Sequence, residues 1–359
     1  MKAFFKGFFK VIGILLLVIV LLVGGLVGYL TVTEYRPADT ERVYAEPLSG
    51  TAERFRGGSF TVLGWNIGYG SLGRESDFFM DGGSEVRPPE AGRVDKNISG
   101  IYDTIRELDA DFCLLQEVDS GSARSYNRDE TQILGTLPDY AFSTFAYNYK
   151  CDFVPFPVPP LGRVQSGLYT LSSCLVGESS RVSLPCPFSW PMRAANLKRC
   201  LLVTRVPIEG MDKELVLVNL HLEAYDDGEG RIAQTRQLLE FLDEEYAKGN
   251  YIVAGGDWNQ VFPGTLETYP NAHPELWTPG TLELADFPED WTLCWDDTTP
   301  TCRLLNQPYD PADTANTQYY VIDGFLISPN LELMQVQTVD KEFACSDHNP
   351  VLLELRFAE

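Results

Sequence analysis

The sequence predicts an α+β protein in which sheet packs on sheet with helices outside, carried behind an N-terminal membrane-spanning helix. Three observations support that expectation. Short apolar or β-branched runs recur at Phe60–Trp65, Phe112–Leu115, Leu201–Val206, Leu215–Leu220, Tyr251–Ala254, Tyr320–Ile327 and Val351–Phe357. Two segments stand out as helical, Arg93–Leu108 with Val94, Ile98, Ile101, Ile105 and Leu108 in step, and Gly230–Tyr246 with Ile232, Leu238, Leu239 and Leu242. Many strands with few helices between them bury their apolar faces on one another. The third observation is Val11–Leu30, a run without a single charge.

That run, at about 1.5 Å per residue, spans roughly the 30 Å of a bilayer's hydrocarbon core. Lys2, Lys6 and Lys10 precede it, and Glu34 is the first charge beyond it. The positive-inside rule then puts residues 1–10 in the cytoplasm as a basic stub and the bulk of the chain outside. A cleaved signal peptide is the alternative. The run is longer than the usual apolar region of about 7–15 residues, however, and Leu30-Thr31-Val32-Thr33 lacks a small-x-small cleavage site. An uncleaved single-pass anchor over residues 11–30 is the favoured expectation. Residues 31–58 are polar and aperiodic, punctuated by Pro37, Pro47, Gly50, Gly57 and Gly58, and read as a tether to a domain covering 59–359. Within the domain, Tyr69–Ala91, Tyr147–Gly162 and Phe262–Asn316 read as irregular insertions, of the kind that often rim a binding site. The prolines at 155, 157, 159 and 160 bar a central strand there.

The chain has 359 residues, 51 acids against 28 bases, and a net charge of -23. An acidic domain repels polyphosphate backbones at long range, which disfavours nucleic acid as the substrate without excluding it. Eight cysteines form no CxxC pair and no zinc-ligand spacing. Cys113, inside an apolar run, is expected to be buried, and Cys294 and Cys302 are close enough in sequence for a disulfide loop.

Polar side chains recur where the apolar runs end. Phe60–Trp65 ends at Asn66, whose amide can meet a metal or a phosphate, or simply form a turn. Phe112–Gln116 runs into Glu117, a carboxylate suited to a hard divalent ion, which needs only one or two from the protein. Taken alone, Glu117 is equally an exposed strand-end acid. His221 closes Leu215–Leu220 as a proton donor, a phosphate clamp or a structural residue. Tyr251–Ala254 leads through Gly255 and Gly256 to Asp257, with Asn259 two positions on and on the same side of an extended chain. That pair suits a site orienting water and a phosphoryl oxygen, and an Asx turn explains it as well. Asp323 sits among apolar residues and needs a partner, for which a histidine is natural. Asp347-His348 lies on the polar loop Cys345–Pro350, just before an apolar strand. No nucleophile elbow accompanies it, since Ser346 lacks flanking glycines.

In their joint order the runs Trp65-Asn66-Ile67, Leu115-Gln116-Glu117-Val118, Asn219-Leu220-His221-Leu222, Gly256-Asp257-Trp258-Asn259, Ile322-Asp323-Gly324 and Ser346-Asp347-His348-Asn349-Pro350 resemble the endonuclease/exonuclease/phosphatase superfamily of metal-dependent phosphoesterases. Gly167–Ser173 is similar to a further segment of that family. The resemblance implies a four-layer α/β sandwich, two packed, mostly antiparallel sheets flanked by helices. It implies a metal site at Glu117, with Asn66 and Asp347 beside it, taking Mg²⁺ or else Mn²⁺ or Ca²⁺. It further implies catalytic roles for His221, Asp257, Asn259, Asp323 and His348. Asp257 would orient or deprotonate the attacking water, Asn259 would hold the phosphate, and Asp323 would pair with His348. Which histidine is base and which acid stays open.

The expected protein is thus a monomeric, membrane-anchored, extracytoplasmic phosphoesterase acting on a small phosphoester or a phospholipid. A nuclease and a catalytically silent binding module are the alternatives. Arg231, Gln234 and Arg236 could reach a phosphate, although a solvated helix face is the simpler expectation.

Overall fold

The computed structural model describes residues 2–226, 228–312 and 316–358. It opens with helix α1 (Lys2–Val32), then β1 (Thr40–Val43), β2 (Glu46–Pro47), β3 (Ser59–Asn66), α2 (Ala91–Leu108), β4 (Phe112–Asp119) and a short α3 (Glu130–Leu134). The middle of the chain forms β5 (Phe142–Val154), β6 (Gly162–Ser172), β7 (Ser179–Ser183), β8 (Cys200–Pro207), β9 (Glu214–His221), α4 (Glu229–Ala247) and β10 (Tyr251–Asp257). Short pieces follow: β11 (Gln260–Val261), α5 (Thr265–Thr268), β12 (Gly280–Thr281), β13 (Thr292–Cys294), β14 (Cys302–Arg303) and β15 (Tyr319–Tyr320). The chain finishes with β16 (Asp323–Ile327), β17 (Leu331–Thr338) and β18 (Val351–Phe357).

Two seven-stranded sheets result, ordered β1-β7-β8-β9-β10-β16-β13 and β17-β18-β3-β4-β6-β5-β2. Each holds one parallel pair, β3 with β4 and β9 with β10, and every other pairing within them is antiparallel. Helix α2 makes the crossover between the first pair and α4 between the second, because parallel neighbours cannot be joined by a tight turn.

The period-2 alternation of the strands builds the layers. Phe60, Val62, Phe112 and Leu114 meet Leu215, Leu217, Val253 and Phe325 between the sheets. Their neighbours Leu63, Trp65, Cys113 and Leu115 face the other way, against Ile101 and Ile105 of α2. On the far side Val216, Val218, Ile252 and Ala254 pack under Leu238 and Leu242 of α4. Central strands covered on both faces read as continuous apolar runs, which is why the sequence reveals them.

Several expectations are corrected. The segment 31–58 is no free tether: β1 pairs with β7, β2 pairs with β5, and Phe55 lies in the core. Tyr147–Gly162 is mostly strand, since β5 runs to Val154 and β6 starts at Gly162, so only the proline-rich turn between them is irregular. The residues of β5 alternate too weakly for the pattern to show. Tyr320–Ile327 divides into β15 and β16, which makes Asp323 the first residue of its strand. Cys294 and Cys302 are separate buried thiols on β13 and β14, and Cys113 is buried as expected. Phe4–Val32 is long and apolar enough to cross a membrane, and its side chains up to Tyr29 are mostly exposed.

Candidate functional site

Parallel strands deliver their C-terminal ends to one edge of a sheet, where α/β folds collect reactive side chains. Here that edge carries Asn66 from β3, Glu117 from β4, His221 from β9 and Asp257 from β10. Strand β16 is antiparallel to β10, so its first residue, Asp323, lies opposite Asp257, and His221 lies opposite Asp257 on the other side. Strand β18 is antiparallel to β3, so the loop before it brings Asp347 and His348 to the same edge.

The backbone at this edge departs from regular strand geometry at three positions. Glu117 has a positive φ of 55° where the pairing of β4 with β6 slips between Leu115 and Val118, a bulge that re-aims its carboxylate. Asn259 is also left-handed, at 51°. Gly256, with φ 141°, admits no side chain, because a Cβ there would lie 2.1 Å from the Leu220 carbonyl oxygen. The close approach is thus made by neighbouring backbone.

Asn66 fixes two acids at once. Its Nδ2 donates to Asp257 Oδ2 at 3.0 Å and to Glu117 Oε1 at 3.3 Å, while its Oδ1 accepts from the Gly68 amide. Asp257 Oδ1 accepts from the Asn259 amide at 2.9 Å, and Asn259 Nδ2 donates to the Leu222 carbonyl. His221 Nε2 stands 3.3 Å from Asp257 Oδ2. His348 Nδ1 donates to Asp323 Oδ2 at 2.8 Å, leaving Nε2 facing Asp257 Oδ2 at 3.8 Å and Asp347 Oδ2 at 4.0 Å. The His348 carbonyl is held by Trp65 Nε1 and its amide by Ser346 Oγ. All eight predicted residues thus come to one edge, seven of them buried and Glu117 half-buried.

Burial and crowding displace the proton affinities. Asp257 is pushed up to about 7, first by burial and then by Asp323. Asp347 is also pushed up to about 7 by burial, which the His348 charge partly offsets and Glu117 reinforces. Burial and the nearby Arg199 guanidinium hold His221 well below the usual imidazole range. Burial would lower His348 as well, but the carboxylates of Asp323 and Asp347 outweigh it and hold the ring well above that range. The two imidazoles are therefore pushed in opposite directions around a shared acid.

The donor set fits a hard divalent cation. Half-buried Glu117, buried Asp347 and buried Asp81 add to one another's charge and make an oxygen-rich, acid-rich wall. Ligand atoms of Asp257, Asp323 and His348, and of Cys302, Asp347 and His348, also lie within 4.8 Å of one another. The Asp323–His348 hydrogen bond already commits one acid and one ring nitrogen of the first group.

Other neighbours carry no sequence signal. Asp81, from the irregular stretch 69–91, accepts from Tyr225 Oη at 3.1 Å and is pushed up to about 6 by burial. Arg199 lies 3.7 Å from Glu223, with both side chains buried. Arg231 and Gln234 are not on a solvated face: Arg231 pairs with Asp226 and bonds the Asn259 carbonyl, and Gln234 holds the Glu223 amide. Arg236 is exposed, and His273 lies apart beside Glu275.

The Endonuclease/Exonuclease/phosphatase family model matches residues 63–348, from β3 to His348. The chain belongs to that family. Its members are phosphoesterase hydrolases that generally use divalent metals. Among solved structures, the fold is similar to an endonuclease/exonuclease/phosphatase from Beutenbergia cavernae, with TM-score 0.57 and 20% identity over 84% of this chain and 72% of that one. It is similar to TDP2 from C. elegans, with TM-score 0.51 and 17% identity over 85% and 77% of the two chains. ANGEL2, described as a 2',3'-cyclic phosphatase, gives TM-score 0.52 and 15% identity over 88% and 98%. Comparison with curated proteins finds no match.

Proposed function

We propose that this protein is a membrane-anchored, extracytoplasmic phosphoesterase, cleaving small-molecule or lipid phosphoesters by metal-assisted attack of water. The observation that carries the reading is the meeting of Asn66, Glu117, His221, Asp257, Asp323, Asp347 and His348 on one sheet edge, with the His348–Asp323 bond at its centre. A hydrolase of this kind needs a metal-ready carboxylate, a group to orient water and donors for the phosphoryl oxygens.

In this reading Glu117 would hold a divalent cation, with Asp347 and Asn66 beside it, and Asn66 also keeps Glu117 and Asp257 in register. The bound cation would offset charge on the non-bridging oxygens and acidify water. Asp257, raised to about 7, orients the attacking water and can take its proton near neutrality. Asn259 contacts the phosphate from beside it. Asp323 keeps His348 charged and aimed, so that its Nε2 offers a proton or a hydrogen bond to the phosphoryl group. Neutral His221 contacts the phosphate or the leaving group.

The test is a substrate panel for the full-length protein in detergent, with and without Mg²⁺: bis-p-nitrophenyl phosphate, sphingomyelin, an inositol phosphate and plasmid DNA. Metal-dependent turnover that disappears in both Glu117→Ala and His348→Ala supports the reading. Full activity in either variant, or turnover indifferent to metal, removes it; preference for the plasmid makes the protein a nuclease.

A further inference from the structure

The end of α1 does not leave the domain freely. Leu30 is buried among Cys151, Val154, Val164 and Ala194, with Leu26 packed beside them. Trp190 Nε1 donates to Thr31 Oγ1 at 3.0 Å, and Arg193 Nε donates to Glu34 Oε1 at 2.9 Å. Contacts from Leu26 to Thr31 cover about 7 Å of helix axis. The domain therefore reaches down beside the last turns of the apolar helix.

Beyond the Arg193–Glu34 pair, the two loops beside this contact are free of charge. Residues 153–162 and 182–192 carry no acid or base, in a chain of net charge -23. At their tips Phe156, Val158, Trp190 and Met192 are 68%, 90%, 57% and 67% exposed. Large exposed apolar side chains on two loops that both meet the end of one membrane-length helix mark a surface with an occupant. Aromatic and aliphatic groups at the end of a membrane-length helix suit the headgroup–acyl boundary, where Trp is enriched and apolar faces sink about 5–10 Å.

The same collar leads to the catalytic edge. The ring of Phe156 meets that of Phe79 with centroids 6.0 Å apart, and Phe79 stacks edge-on against Phe78. Phe78 packs with Tyr69, Leu72 and Leu305, and Met80 beside it is exposed. One residue further, Asp81 binds Tyr225 next to Glu117. A series of aromatic contacts thus leads from Phe156, two residues beyond Val154 at the foot of α1, to Phe79 and Phe78 beside the acid-rich wall.

We infer that Phe156, Val158, Trp190 and Met192 enter the interface of the bilayer that α1 crosses, and that this seats the cleft to take a lipid phosphoester from that membrane. The inference rests on the anchor and phosphoesterase readings above and adds the surface and the substrate class. Membrane insertion holds the rim by Phe79 at headgroup depth, so a phosphate can enter while its acyl chains stay in lipid.

The experiment uses the full chain reconstituted into vesicles of phosphatidylcholine whose acyl chains are brominated or plain. Trp190 is isolated as the difference in emission between the wild type and Trp190→Phe. At least twofold quenching of that difference by bromine is expected; an equal difference in both vesicles places Trp190 in water and overturns the seating. Separately, vesicles of phosphatidylcholine, phosphatidylethanolamine, phosphatidylglycerol and phosphatidic acid are assayed for water-soluble phosphorus released, against bis-p-nitrophenyl phosphate hydrolysis. In a Phe156→Asp/Val158→Asp variant the ratio of lipid to soluble-substrate turnover should fall at least tenfold. An unchanged ratio, or no lipid turnover by the wild type, overturns the substrate class. Loss of all wild-type turnover on the soluble substrate instead indicts the phosphoesterase reading, and leaves the quenching result to judge the seating alone.

Discussion

His348 Nδ1 donates to Asp323 Oδ2 across 2.8 Å, tying the loop ahead of β18 in one sheet to the first residue of β16 in the other. Among the described residues Asp323 Oδ1 is buried without a hydrogen-bond partner, so the acid's hold is spent on the imidazole and on orientation. Asp323→Asn keeps the volume and removes the charge. Turnover of bis-p-nitrophenyl phosphate should fall about 10²–10⁴-fold, the usual worth of positioned acid–base help. KM and the circular dichroism spectrum should change little; unchanged kcat would remove the pair from the chemistry.

Metal binding has a readout that needs no turnover. Mg²⁺ at a hundredfold excess over its Kd stabilises a folded protein by about 2.7 kcal/mol. The melting temperature should rise by several degrees with Mg²⁺ or Mn²⁺, and much less in Glu117→Gln. An identical rise in the variant would move the metal away from Glu117.

The two sheets are locked together by amides beneath the site. Gln116 Nε2 donates to Asn219 Oδ1 at 2.8 Å, and Asn219 Nδ2 donates to the carbonyls of Leu115 and Tyr169 at 3.0 and 3.2 Å. Asn219→Leu strands these buried groups together. A loss of about 2–4 kcal/mol is expected in chemical unfolding, since each orphaned buried group costs about 1–3 kcal/mol.

Acid stability has its own reporter at the end of α4. Burial would raise the Glu245 carboxyl, but Arg205 at 2.7 and 2.9 Å, Lys248 at 2.7 Å and Asn250 at 2.9 Å hold it at about 2, below the ordinary 4.5. A depressed folded pKa stabilises above the unfolded value and loses that contribution as pH falls toward the folded one. Glu245→Gln should therefore cost on the order of 2 kcal/mol at pH 7. The gap should close between about pH 5 and pH 2. A gap constant across that window would exclude the ion pair as its source.

The central strands were legible because both faces of each are buried, so apolar runs such as Leu215–Leu220 stand out from the chain. The polar residues of this edge were legible because they border such runs: Asn66, His221 and Asp257 terminate strands, Glu117 sits at a bulge two residues before the end of β4, and His348 precedes a strand. Strands β5 and β7 escaped notice because their mixed burial gives neither a run nor a clean alternation, and β6, buried from Ser166 onward, interrupts its apolar residues with Ser166, Gly167, Thr170 and Ser172. Cys294 and Cys302 show the limit of proximity in sequence, since neighbouring positions on β13 and β14 serve different pairings.

Local chemistry thus determined that this chain pairs strands, which polar residues would stand at the borders of its apolar runs and that its first apolar helix is of membrane length. Distances are another matter, since a hydrogen bond between residues 25 apart, such as Asp323 and His348, depends on how two sheets stack. Only the tertiary structure decided that Asn66 braces both Glu117 and Asp257, that Asp81 and Tyr225 join the wall, and that Arg231 is a buried prop. It also decided that residues 31–58 are stitched to the sheets and that the foot of α1 rests on the domain. The reason is physical: burial and partnership belong to pairs distant in sequence, and they set both the charge state of each acid and the face it turns to its ligand.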